Sequence, residues 1–228
     1  MDKIIYAPDT YNYAGVERVL IDRRWHYGPN KEQLPAITRI LSATEDPEKK
    51  QKLEEWRQRV GPEEADRITK ESTDIGNAMH NNLEYWITGK DKPQEGAYLV
   101  SLLTKLMKMS LEKNMSEIWG CEVPVYCPGV YGGIIDCVGV WNGKPTVVDF
   151  KNSRKTKRKE WIEDYRLQAG AYGLAHNELF GTNIDQVVVL VACREDGKVQ
   201  DFTFSGKEYH DCVDMWLRRV EKYYAEHK

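Results

Sequence analysis

Two carboxylates and a lysine interrupt the apolar runs of the stretch GGIIDCVGVWNGKPTVVDFKNSRK, residues 132–155. The Asn142-Gly143 dipeptide between those runs signals a β-hairpin closed by a two-residue type I′ turn. That turn pairs Trp141 with Lys144. Carried down the hairpin, the register sets Asp136 directly opposite Asp149 on one face, with β-carbons about 4.5–5.5 Å apart. Lys151, two residues beyond Asp149, shares that face. Opposed like charges destabilise a sheet, and burying them is costly unless they are paired or hold a cation. Two readings follow. One is a hard divalent cation, Mg²⁺ or Mn²⁺, held by the carboxylates. The other is an ion pair of Lys151 with one of the acids on a solvated face.

The remaining chemistry is more dispersed. Basic residues cluster just after the hairpin at Lys151, Arg154, Lys155, Lys157, Arg158 and Lys159. The chain's net charge of −3 gives no global pull on a polyanion, so any nucleic-acid contact must come from such a local patch. Otherwise the run is a solvated loop. The five cysteines, Cys121, Cys127, Cys137, Cys193 and Cys212, are irregularly spaced and include no C-x-x-C pair. The spacing argues against a disulfide framework, a zinc site and an iron–sulfur cluster. His80 sits at the edge of an apolar helical stripe, either as a satisfied core histidine or as a ligand. Glu84 reads as a solvated helix acid. Glu122 has two readings, a third acid of the site or, the preferred one, simply a residue of the strand before the hairpin. Gln168 and Tyr172 share one helix face at i, i+4 spacing.

These residues need elements to position them. The 228 residues, 41% hydrophobic and 30% charged, suit one globular domain. The organisation expected is an N-terminal arm and helical roof over 1–115 and an α/β core over 116–228. No apolar run approaches the roughly 18 residues of a membrane span. The N-terminal sequence MDKIIYAPDT lacks a signal core or an Arg-rich presequence, which suggests a cytoplasmic protein without targeting sequence. Residues 1–30 form an extended arm rich in aromatics such as Tyr11, Tyr13 and Trp25. A short helix follows in LPAITRILSAT, then a helix from Asp46-Pro47 to Gly61 with Leu53, Trp56 and Val60 inward. Pro62 opens another helix, with Ala65 and Ile68 inward. Asp74 to Thr88 forms a third segment, with Ile75, Met79, Leu83 and Ile87 in series. Residues 95–114 continue helically. The pattern then changes to strand, hairpin, a helix over about 160–180, a buried strand in DQVVVLVACRE, a shorter strand in KVQDFTFSG, and a last amphipathic helix from Tyr209 to Tyr224. The order is β-β-β-α-β-β-α after a helical first half.

The pattern Asp136…Asp149-Phe150-Lys151 resembles the PD-(D/E)XK nuclease superfamily. Gln168-x-x-x-Tyr172 in YRLQAGAY is similar to the helix motif of its RecB-like branch, and Gly76-x-x-x-His80 in IGNAMHNNLE to that branch's helical histidine motif. D-x-K alone is frequent by chance, whereas four elements in order are specific. Within the branch the chain most resembles the mitochondrial genome maintenance exonuclease family and its phage and bacterial relatives. That likeness rests on LPAITRIL followed by WRQRVGPEEADRI, and covers roughly residues 34–175. Ala36 departs from the serine usual in that family.

The resemblance implies a restriction-endonuclease-like α/β (α+β) core, a mixed central sheet flanked by helices with a helical N-terminal region. It implies one or two Mg²⁺ or Mn²⁺ ions held by Asp136, Asp149, the Phe150 backbone carbonyl and His80, with Lys151 positioning the attacking water and Gln168 ordering the site. It further implies DNA contacts from Arg154, Lys155, Lys157, Arg158, Tyr172, Thr38 and Arg39. Gly132 and Gly133 would let the DNA backbone approach, and the arm aromatics would stack unpaired bases. The activity implied is a metal-dependent DNA exonuclease acting on single strands, ends or flaps in replication, repair or recombination. The protein would be a monomer without a membrane partner, working in a bacterial cytoplasm or phage-infected cell. The alternatives are a duplex-end-processing nuclease of the same fold and an inactive DNA-binding module.

Overall fold

Asn142 and Gly143 take φ values of 48° and 79°, the left-handed pair that a type I′ turn demands. Trp141 pairs with Lys144 as that turn requires. The computed structural model describes residues 4–90 and 97–227. Strands β6 (Tyr131–Trp141) and β7 (Lys144–Ser153) form this hairpin at the centre of a six-stranded mixed sheet. Strand β5 (Met115–Cys127) runs antiparallel to β6, and the short β1 (Ile5–Tyr6) lies parallel along the outer edge of β5. On the other side β8 (Gln186–Cys193) is parallel to β7, and β9 (Lys198–Ser205) is antiparallel to β8. The parallel step from β7 to β8 needs a crossover, supplied by helix α5 (Glu163–Phe180). Every residue of β8 is buried, as its unbroken apolar run requires of a strand covered on both faces.

Two cores sandwich the sheet. On one face, α1 (Ile37–Ala43), α5 and α6 (Lys207–Glu226) pack Ile40, Leu167, Ala171 and Trp216 against Ile135, Val147 and Val189. On the other, α3 (Pro62–Thr88) and α4 (Tyr98–Asn114) pack Met79, Leu83, Leu103 and Met107 against Val148, Phe150 and Leu190. Alternation along β7 sends Val147 to the first core and Val148 and Phe150 to the second, so Asp149 and Lys151 point toward α5. The five cysteines are free thiols. Among the described residues no helix is long and apolar enough to cross a membrane.

Four local expectations differ from the structure. The arm, expected as extended chain, folds into a small three-stranded antiparallel sheet, β2 (Arg18–Ile21), β3 (Arg24–Tyr27) and β4 (Glu32–Gln33). The two helices expected after Pro62 are one continuous α3. Its weak stretch at 69–74 is bridged by Thr69 and Thr73 hydroxyls donating to the carbonyls of Ala65 and Thr69, and by Arg67–Glu71 and Lys70–Asp74 ion pairs at i, i+4. Helix α2 (Pro47–Val60) has no buried residue and leaves Leu53 exposed. It is secured instead by the Asp46 cap on the Glu48 amide, by i, i+4 side-chain pairs such as Lys52–Glu48, and by Arg57–Asp66 to α3. The 160–180 helix begins as a 3₁₀ turn at Lys159–Ile162. Residues 95 and 96 of the expected fourth helix lie outside the described residues.

Candidate active site

The β6–β7 ladder runs from Trp141–Lys144 to Cys137–Val148 and stops one rung short of Asp136 and Asp149. Beyond that point β7 continues against β8 and β6 against β5. Asp136 fills the gap, its Oδ2 accepting the Phe150 N–H at 2.7 Å. The carboxylate thereby replaces the missing strand partner of a buried amide. Burial pushes the Asp136 carboxyl up, while His80 and Lys151 draw it back down.

Asp149 is fully buried. Its Oδ2 lies 2.6 Å from Lys151 Nζ, in ion contact without hydrogen-bond alignment, and neither of its oxygens has a hydrogen-bond partner. Burial raises the Asp149 carboxyl and the Lys151 charge lowers it again. For Lys151, burial acts downward, but Asp149 and Asp136 outweigh it and hold the ammonium above its ordinary value. The ammonium also lies 5.4 Å from the centre of the Tyr165 ring on α5.

His80 reaches the same place from α3. Its Nε2 is 3.0 Å from the Phe150 carbonyl, its Nδ1 3.2 Å from Glu122 Oε1 and 3.6 Å from Asp136 Oδ1. Burial alone would lower His80, but the Asp136 and Glu122 carboxylates overcome it and raise the imidazole to about 9. As an imidazolium it donates to both Glu122 and the Phe150 carbonyl, and it can ligate a cation through Nδ1 only by giving up the proton there. Helix α3 can come this close because position 76 is glycine. A β-carbon there would sit 2.8 Å from Asn152 Nδ2, the group that donates to the Ser72 carbonyl at 3.1 Å. Glu122 enters through an irregular stretch of β5, where its own φ is 52° and the register shifts just upstream, between Ile118 and Gly120.

His80, Glu122 and Asp136 each direct one ligand atom into a space where all three lie within 4.8 Å of one another. Two carboxylates with one imidazole, beside a buried Asp149 oxygen that lacks a donor, fit a divalent cation by donor chemistry. Of the expected ligands Asp136, Asp149, the Phe150 carbonyl and His80, Asp136 and His80 converge with Glu122, while Asp149 contacts Lys151 and the Phe150 carbonyl faces His80 Nε2. A cavity of about 620 Å³ opens over the cluster, lined by His80, Glu122, Lys151, Asn152 and Tyr165 together with the α3 residues Asn77 and Asn81.

On α5, Gln168 Nε2 donates to the Tyr172 hydroxyl at 2.9 Å. Burial and then the nearby Asp136 and Asp149 carboxylates push that hydroxyl far above its ordinary value. Gln168 thus fixes the Tyr172 hydroxyl on the α5 side of the acids. Other sequence candidates stand apart from the cavity. Arg154 and Lys155 pair with Glu195, Arg158 covers the Trp161 ring, the Lys157 amide donates to Gln200, and Lys159 pairs with Glu208. Thr38 and Arg39 are exposed on α1. Gly132 and Gly133 leave room for protein rather than for a ligand: β-carbons there would meet the rings of Tyr27 and Tyr172. Tyr13 is buried with its hydroxyl on His176, and Trp25 lies under the Arg18 guanidinium. Nothing in Glu122's sequence setting announces a left-handed strand residue, whereas Asn152 borders the cavity from the position next to the D-x-K lysine.

A mixed α/β chain with a buried Asp–Asp–Lys hairpin and a helix-borne histidine is thus the class that fold and site define. No family model matches the chain. The chain is similar to mitochondrial genome maintenance exonuclease 1 of Mus musculus, 26% identical over 214 residues, covering 87% of this chain and 61% of that protein. The corresponding Homo sapiens protein is 26% identical over 207 residues, covering 86% and 59%, and that of Xenopus tropicalis 29% over 209 residues, covering 83% and 57%. The chain therefore spans about three fifths of the length of these relatives. Among solved structures, the crystal structure of SSO0001 overlays 66% of this chain and 85% of that one with a TM-score of 0.34 and 14% identity, too distant to support an argument.

Proposed function

We propose that the chain is a metal-dependent nuclease of the PD-(D/E)XK type that removes nucleotides from single-stranded DNA ends or flaps. The observation that carries this reading is the convergence of His80, Glu122 and Asp136 near the Asp149–Lys151 pair, with His80, Glu122 and Lys151 facing one cavity. The names of the similar proteins, exonucleases of genome maintenance, agree with it.

Asp136, Glu122 and His80 would hold the cation, with Asp149 adjacent. The carboxylates favour Mg²⁺ or Mn²⁺, and the imidazole shifts the preference toward the transition ion. A bound divalent ion there supplies Lewis acidity, neutralising phosphate charge and acidifying water. Asp149 fixes the Lys151 ammonium at 2.6 Å, so its position is set before substrate arrives. Lys151 places a positive charge where the phosphate gains negative charge in the transition state. Gln168 and Tyr172 brace the carboxylates from behind. Asn77, Asn81 and Asn152 offer neutral donors to the strand across the cavity. A cavity of about 620 Å³ has the dimensions of a small-ligand site, which suits a nucleotide of a single strand rather than a duplex.

End-labelled single-stranded and duplex DNA, incubated with Mg²⁺, Mn²⁺ or chelator, tests this directly. Expected is cleavage of the single strand with either ion and none with chelator or with Lys151→Ala. Cleavage confined to the duplex would favour an end-processing nuclease. Binding without cleavage in any metal would leave only a DNA-binding module.

A further inference from the structure

A second cavity of about 640 Å³ adjoins the first, and the two share Glu84 and Glu122 as a common wall. Their linings differ. The catalytic-side cavity presents Lys151 and asparagines. The second is faced by Tyr6, Tyr11 and Trp119, with one cation, Lys90, set among the acids Asp9, Glu84 and Glu122 at its polar edge. Tyr11 is held edge-on against Trp119 at 5.4 Å and tilted against Phe180 at 5.5 Å, so its ring is fixed in place. Tyr11 and Tyr6 are only partly buried, and both border the cavity.

Aromatic faces without a cationic cluster disfavour a phosphate there, whereas every nucleobase has a π-face to stack on them. The cavity that holds Lys151, His80 and Glu122 meets the aromatic one at the Glu84–Glu122 wall, so the two are placed to take adjoining parts of one strand. We propose that this aromatic cavity is a nucleobase subsite, taking the base of the nucleotide next to the scissile phosphate. The volume falls within the roughly 300–1,000 Å³ of ordinary ligand sites. The inference rests on the nuclease reading above and adds where one base goes. It turns the site from a phosphate-cutting centre into one that measures the strand by a single stacked base, tolerant of sequence but intolerant of a missing base.

The test is a scan of single-stranded oligonucleotides carrying one abasic residue at successive positions from the end, cleaved by the wild-type protein. The expected result is a KM raised about 10-fold at one position only, the size of a lost base–aromatic stack. In Tyr11→Leu that positional penalty should shrink to about 2-fold or less, since the base has already lost its platform. Tyr6→Leu serves as the second variant should Tyr11→Leu fold poorly. A flat abasic profile, with the unmodified strand still cut, overturns the subsite and leaves the nuclease reading standing. So does a positional penalty that persists unchanged in both variants. Failure to cut the unmodified strand overturns both.

Discussion

Asp136 Oδ2 accepts the Phe150 amide at 2.7 Å, and this side-chain bond stands where the next rung of the β6–β7 ladder would be. The strands part at that point while each remains paired on its far side, β6 with β5 and β7 with β8. The opening exposes the Asp136 carboxylate to His80 and Glu122 while Asp149 stays sealed beneath Lys151. One hairpin therefore presents two acids in different electrostatic settings, one turned to the ligand cluster and one paired with a base.

Asp149 and Lys151 should behave as a unit in stability measurements. Lys151→Met leaves a fully buried carboxylate without its counter-charge, a change worth about 3–5 kcal/mol. Because burial raises the Asp149 carboxyl, the loss should be smaller in acid, where the carboxyl takes up a proton instead. Denaturant melts of Lys151→Met at pH 8 and pH 5, beside Asp149→Asn/Lys151→Met, check this. The double variant should recover most of the stability and none of the nuclease activity.

Glu122 separates the observed cluster from the one drawn from the hairpin alone. If it is a ligand, Glu122→Gln should weaken Mn²⁺ binding by at least about 10-fold, comparable with Asp136→Asn. A saturating ion stabilises the folded state by about 2.7 kcal/mol at 100 times its dissociation constant. Calorimetric titration with Mn²⁺, and melting with and without chelator, measure both effects. Unchanged Mn²⁺ affinity in Glu122→Gln would remove Glu122 from the ligand set.

The hairpin was legible because a short-range rule decided it. Asn142-Gly143 fixes the turn, the turn fixes the register, and the register brings Asp136, Asp149 and Lys151 together. The β-β-β-α-β-β-α order was legible for the same reason, since apolar period and glycine stops are local. Glu122 was not, because its place in the cluster depends on a left-handed strand residue and on α3 crossing from 42 residues away in sequence. Nor was the continuity of α3, where side-chain pairing outweighs the weak helix formers at 72–74. In the basic run after Ser153, Arg154, Lys155 and Lys159 meet Glu195 and Glu208 from distant segments, pairings that no local rule shows.

Gly76 offers a case where stability and activity should part. Replacing a mid-helix glycine by alanine gains about 1 kcal/mol of helix propensity. The new methyl group would press on Asn152 Nδ2, 2.8 Å from the β-carbon position, and disturb the bond that ties β7 to α3. Gly76→Ala should melt close to wild type while kcat falls by about 10-fold or more, because His80 moves relative to Asp136. Adding Asn152→Ser, which shortens the obstructing side chain, should restore part of the lost rate. Equal loss in both variants would show that Asn152 contributes more than space.

His176 should give the fold an acid limit independent of the candidate site. Its ring is buried, and Thr182 Oγ1 donates to Asn177 Oδ1, so that oxygen accepts from His176 Nδ1–H. Nε2 is then the acceptor for the Tyr13 hydroxyl at 2.8 Å, which leaves a neutral imidazole. Burial pushes its pKa from 6.5 down to about 4. The unfolded chain therefore binds a proton below about pH 6.5 that the folded chain refuses until about pH 4, so stability falls as pH drops through that window. The integrated loss is on the order of 3 kcal/mol. His80 acts in the opposite sense, since a pKa raised to about 9 favours the folded state until the pH climbs through that value. The comparison must therefore be a difference. Between neutral pH and about pH 4, wild type should lose about 3 kcal/mol more unfolding free energy than His176→Gln. Parallel pH profiles for the two proteins would mean that the buried imidazole opens to water before the fold does.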